Sequence, residues 1–166
     1  MKNVTKPADP TPRRQKPRAT ISVQRGTRAI DAPTRNEIMR FARSAMMRDM
    51  EITLRIVNEI EGQQLNFDYR HKDYATNVLS FVYTSEPTVH GDLVLCAPVI
   101  SREAVEQGKS ILAHYAHMIV HGVLHLHGYD HISEAEAEEM EALEIDIVTG
   151  LGFANPYLQM ESLHHG

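Results

Sequence analysis

From Ile111 to His127 the chain carries no Asp, Glu, Lys or Arg, and this stretch constrains the fold more than any other. A surface helix needs only an apolar stripe, whereas a segment without charge on any face must be covered on all sides. Ser110 is a suitable N-cap and Gly128 a suitable stop, so the pattern predicts a central helix over Ile111–His127 with the other elements packed around it. Nowhere does the chain approach the ~20 uninterrupted apolar residues of a membrane span. Its first residues hold Pro and Arg where a signal peptide would place an apolar run, so the expected location is the cytoplasm.

One core suffices to bury such a helix. At 166 residues the chain lies below the ~250 at which cores usually split. With 42% hydrophobic and 23% charged residues it is not a disordered, collagen-like or coiled-coil chain. Cys96 is the only cysteine, which excludes internal disulfides and any zinc site built from several thiolates. A metal would have to be held by histidines and carboxylates.

Charge is unevenly distributed. Residues 1–20 hold four of the eight prolines and a net charge of +5, leaving −10 on the remainder, with no Lys or Arg after Lys109. The expectation is a disordered basic arm over 1–20, one domain over 21–158 and a tail over 159–166. The arm reads as a solvated tail, an RNA-contacting segment or an organelle-targeting segment, although its prolines oppose an amphipathic targeting helix. An acidic body argues against nonspecific nucleic-acid binding, which needs clustered cations, but leaves room for a local basic cleft.

Along the domain, Ile21–Val23 reads as a strand. Pro33–Met47 reads as a helix opened by Pro33 as its first residue, and Glu51–Ile60 as a half-buried strand ended by Gly62. A short helix fits 63–69. Strands fit Asn77–Tyr83 and Asp92–Cys96, bounded by Glu86-Pro87 and His90-Gly91. Pro98–Gln107 reads as a helix closed by Gly108. Ser133 to Glu136 forms a capping box for a last helix whose stripe is Met140, Leu143, Ile147 and Val148.

The chemistry concentrates in His121-Gly-Val-Leu-His125-Leu-His-Gly128-Tyr-Asp-His131. Four helical residues advance ~6 Å and turn ~400°, so His121 and His125 project from one side on successive turns. His131 would lie ~240° away if the helix continued. Gly128 allows a left-handed reversal that returns His131 to the pair, and three imidazoles would leave a fourth tetrahedral position open. The expected cofactor is one Zn²⁺ per chain on His121, His125 and His131. His117 with His121 is a competing pair without a partner beyond a glycine stop. His114 and His117 share the stripe as bystanders, while His127, His164 and His165 read as noncatalytic. Asp130 would either orient a ligand or cap the turn. The same histidine spacing occurs in metzincin peptidases, where a glutamate after the first histidine acts as general base. Here that position is Gly122, which disfavours peptide hydrolysis.

Together with Asn66-x-x-Tyr-Arg70-x-x-Asp73-x-x-Thr76-x-Val-Leu-Ser80-Phe81 and Gly91-Asp92-Leu-Val-Leu-Cys96, the histidine motif makes the chain resemble the YbeY-type endoribonucleases over roughly residues 51–157. The resemblance implies an α+β fold with the metal helix buried against a small four-stranded mixed sheet. It implies a zinc-dependent, single-strand-specific ribonuclease acting in maturation of the 16S rRNA 3′ end and in ribosome quality control. Its partners would be single-stranded RNA, small-subunit rRNA, the small ribosomal subunit and assembly factors, with no membrane or DNA role. Arg70 and His121 match functional positions, and His121, His125 and His131 match metal ligands. Asn77 stands where many members have Asp, and Val82 where Pro is common. The competing classes are a zinc hydrolase of a non-RNA substrate and a ribosome-assembly factor with structural zinc.

Chemically, Arg70 suits the role because a guanidinium is always charged and grips phosphate with paired donors. The bland alternative is an ion pair with Asp73. Ser80 reads as a tight-packing position rather than a nucleophile, and Asp92 as a turn residue before a strand.

Overall fold

The computed structural model describes residues 16–158. The expected basic arm, apart from its last few residues, and the expected tail with His164 and His165 lie outside that range. No described helix is long and apolar enough to cross a membrane.

The chain runs β1 (Ala19–Arg25), α1 (Arg35–Ser44), β2 (Met50–Val57), α2 (Glu59–Arg70), β3 (Val78–Thr84), β4 (Val89–Cys96), α3 (Ala97–Glu106), α4 (Ile111–Leu126) and α5 (Glu134–Gly150). The strands form one sheet in the order β1-β2-β4-β3. β1 and β4 are parallel to β2, and β3 is antiparallel to β4, so the sheet is mixed and the fold α+β, as expected.

Strand alternation explains the layering. Ile52, Leu54 and Ile56 of β2 lie level with Gly91, Leu93 and Leu95 of β4, and these side chains join the main core on the face that receives α4. The opposite face carries Thr53, Arg55, Asp92 and Val94. There Leu79, Val94 and Cys96 form a smaller cluster against Leu65 of α2. The central helix is buried nearly throughout, from His114 to Leu126, as a charge-free segment requires.

Several boundaries differ from the sequence expectation. Helix α1 is opened not by Pro33 but by Thr34, whose hydroxyl accepts from Glu37 N while the Glu37 carboxylate accepts from Thr34 N. The β2 strand stops at Val57 because the Asn58 side chain accepts from Glu61 N and starts a full helix, not a short one. Gly62 therefore sits inside α2, where a Cβ would stand 3.0 Å from Cys96 Sγ. Likewise His90, Gly91 and Asp92 lie within β4, not in a turn before it. A Cβ on Gly91 would meet the Phe81 carbonyl oxygen at 2.5 Å and Leu126 Cδ2 at 2.8 Å.

Gly122 has the same kind of role at the centre of the molecule. A Cβ there would lie 2.6 Å from Cδ2 of the fully buried Leu93, so glycine lets α4 settle onto the sheet. Gly122→Ala is expected to lower stability by about 1 kcal/mol, because overpacking of ~1–3 kcal/mol exceeds the ~1 kcal/mol by which Ala favours a helix. Urea melts of the two proteins check this, and an unchanged or higher midpoint for the variant would contradict the tight contact.

Candidate metal centre

The three expected ligands converge. His121 and His125 lie on successive turns of α4, with ring centroids 4.6 Å apart, and His131 lies 5.1 Å from His125 and 5.9 Å from His121. One ligand atom from each of the three lies within 4.8 Å of the others. The helix stop forms as expected. Gly128 has φ +103, its N–H donates to His125 O, and Tyr129 N donates to Leu124 O, the paired bonds of a Schellman ending. Asp130 caps the following turn by accepting from His131 N at 2.7 Å, while its carboxylate stands 4.0 Å from His131 Nδ1.

Electrostatics favour a neutral imidazole at His125. Burial pushes the His125 pKa down, and the neighbouring His121 and His131 push it further. His121 Nδ1 lies 2.8 Å from Oε1 of Glu144, a buried residue on α5. Burial alone would raise the Glu144 pKa, but hydrogen bonds and charge from His117 and His121 outweigh it and hold the carboxyl well below the usual range. An ionised carboxylate only accepts, so the His121 Nδ1–H donates to it and the Nε2 edge of the ring is the one left for a ligand. The Tyr157 hydroxyl donates to Oε2 of the same carboxylate at 2.6 Å, and His117 Nε2 stands 3.5 Å away. The donor set and this orienting carboxylate fit a divalent ion that prefers nitrogen ligands.

Sequence reasoning missed Glu144. It lies four residues from both Met140 and Val148, which share its buried face, so the available signal was an acid interrupting an apolar stripe.

His127 and His114 take structural roles. Met47 N donates to His127 Nε2 at 3.1 Å, and His127 Nδ1 lies 2.9 Å from Val123 O, so this ring ties the segment after α1 to the end of α4. The His114 ring bonds to Glu103 of α3 through Nε2 at 2.8 Å. Burial lowers the His117 pKa, although its contact with Glu144 opposes this.

Arg70 is the last residue of α2 and lines a cleft of about 450 Å³ with Thr76, Asn77, Ser80, His121, His125 and His131, among others. Its position follows from how the helix ends. His71 adopts a left-handed conformation, with φ 58, that is uncommon outside glycine. The buried Asn66 holds the next loop through a 2.7 Å bond from Nδ2 to Tyr74 O. The alternative ion pair is not formed: Asp73 accepts from Gln63 Nε2, and Arg70 makes no ion pair among the described residues. Asn77 is committed to structure, donating to Glu103 at 3.0 Å and accepting from Val78 N at 2.7 Å. Ser80 lines the cleft, and no hydrogen bond joins it to a base.

A family model described as "Endoribonuclease YbeY" matches residues 20–152. The chain belongs to the YbeY endoribonuclease family. It is 58% identical over 123 residues to "Endoribonuclease YbeY" of Albidiferax ferrireducens, covering 74% of this chain and 83% of that protein. To the same-named protein of Aromatoleum aromaticum it is 54% identical over 143 residues, covering 84% and 93%. The solution structure of TM1509 from Thermotoga maritima matches with a TM-score of 0.58 at 25% identity, over 86% of this chain and 93% of that one. The residues matched by the YbeY family model thus include the cleft, Arg70 and all three histidines.

Glu144→Gln keeps the side-chain shape but loses the anionic acceptor, and Glu144→Ala removes it altogether. With zinc as the probe ion, chelator competition should show binding about 10–100-fold weaker in both variants. Wild-type affinity in both would mean that α4 orients His121 unaided.

Proposed function

We propose that the protein is a single-strand-specific, zinc-dependent endoribonuclease that acts in the cytoplasm on small-subunit rRNA during 16S 3′-end maturation and ribosome quality control. The observation that carries this reading is that Arg70, a guanidinium without an ion-pair partner among the described residues, lines one cleft with three convergent imidazoles in a chain from an endoribonuclease family. His121, His125 and His131 would hold the metal. A zinc ion there would supply Lewis acidity toward a phosphoryl oxygen.

The chain's own groups meet the other demands of phosphodiester cleavage. Arg70 binds two nonbridging oxygens through paired N–H donors and opposes the charge that grows on them. Glu144 keeps the His121 ring in one tautomer and orientation. Asn77 and Glu103 brace the start of β3, on which Ser80 forms part of the wall. Gly122 weighs against the peptidase alternative. A peptidase of this histidine spacing needs a carboxylate there, and a side chain at that position would collide with Leu93.

Elemental analysis of the purified protein should find about one zinc per chain. His125→Ala should lose it and melt at a lower temperature, because binding energy that joins helix and loop is also folding energy. Full zinc in His125→Ala would move the centre elsewhere.

Arg70→Ala should stay folded and zinc-loaded while kcat/KM on unpaired rRNA fragments falls by roughly 2–4 kcal/mol in transition-state terms. The same preparations are assayed on casein and peptides with and without chelator. Chelator-sensitive peptide cleavage with intact RNA would reverse the assignment. Inertness toward all substrates would favour an assembly factor with structural zinc.

A further inference from the structure

On the far side of β3 from the metal centre lies a second concavity of about 670 Å³, which no step proposed so far uses. Its walls include Tyr69 of α2 and Phe81 and Tyr83 of β3. Tyr69 and Phe81 meet edge to face with centroids 5.0 Å apart, while Tyr69 and Tyr83 are 66% and 67% exposed. Large aromatic surface beside a polar floor suits an occupant with a flat apolar face and polar edges.

The charge pattern narrows the occupant. Arg55 is neutralised by Glu61 through bonds of 2.6 and 3.0 Å, and Asp92 accepts from the Tyr83 hydroxyl. No cation in this groove is left over for a phosphate. Arg70, the next residue after Tyr69, has no ion-pair partner among the described residues, and it lines the metal cleft instead. Adjacent residues of one helix end thus serve two adjoining surfaces, one suited to phosphate and one to aromatic rings. β3 is the outer strand of the sheet, so a chain can pass over its edge from one surface to the other.

We propose that this groove is a nucleobase subsite, in which a base flanking the phosphate held by Arg70 stacks on Tyr69 and Tyr83. The inference rests on the ribonuclease reading of the adjoining cleft. Stacking on aromatic side chains tolerates any base, so the subsite selects unpaired over paired RNA rather than one sequence over another.

The test is abasic scanning. A labelled single-stranded RNA oligonucleotide, with an abasic ribose at successive positions, is bound to the wild type, Tyr69→Ala, Tyr83→Ala and Tyr69→Phe in chelator, and binding is followed by anisotropy. Cleavage of the same RNAs is measured with zinc. For the alanine variants, KM and Kd should rise about tenfold with kcat retained, and Tyr69→Phe should behave as wild type. In the wild type, an abasic ribose at one or two positions beside the scissile phosphate should carry the same penalty, and that penalty should vanish in the alanine variants. An abasic penalty that persists in both alanine variants, or unchanged binding by them, overturns the subsite and leaves the groove to a protein partner, with the ribonuclease reading intact. A wild type that neither binds nor cleaves single-stranded RNA overturns both.

Discussion

Burying a helix that carries a row of imidazoles creates a polar problem that the neighbouring elements solve for His114 Nε2 and His121 Nδ1 but not for His117, whose ring nitrogens have no hydrogen-bond partner among the described residues. Helix α4 presents apolar side chains and Gly122 to the sheet, and His114, His117, His121 and His125 along another side. Buried imidazoles require partners, and α3 and α5 each contribute one carboxylate. Glu103 meets His114 and Asn77, and Glu144 meets His121 and Tyr157. Those contacts tie the flanking helices to α4, and the Glu144 bond also sets the orientation of the His121 ring. Stability and site geometry therefore share one set of hydrogen bonds.

Much of the site was legible because helical geometry turns spacing into direction. His121 and His125 had to share a side, and Gly128 had to break the helix for His131 to join them. Glu144 was not legible, because its helix also carries Glu134, Glu136, Glu138, Glu139, Glu141 and Asp146, and only tertiary contact distinguishes the one that is buried. The errors over strands and turns have a common origin. Gly62 and Gly91 read as punctuation, whereas each sits inside an element where another group presses against its Cα. Close approach and chain reversal both favour glycine, and sequence alone does not separate them.

The resemblance in histidine spacing to metzincin peptidases has a physical limit at Gly122. The position that would carry a proton-accepting carboxylate is occupied by the contact between α4 and Leu93 of β4. A side chain at position 122 presses on Leu93, so an acid placed there would cost packing stability. The carboxylate nearest the ligands comes instead from another helix and is directed at the outer nitrogen of a ring, not at the cleft.

The cleft runs beside β3, the strand at one margin of the sheet, with Val78, Leu79 and Ser80 in its wall. A margin that must stay open to admit a substrate also leaves main-chain donors and acceptors available to any other extended chain, including another copy of the protein. Here the ladder is irregular between Val82 and Thr84, which limits the straight edge available for such pairing. Self-association through this strand would occlude the cleft, so resistance to aggregation and access for substrate depend on the same few residues of β3.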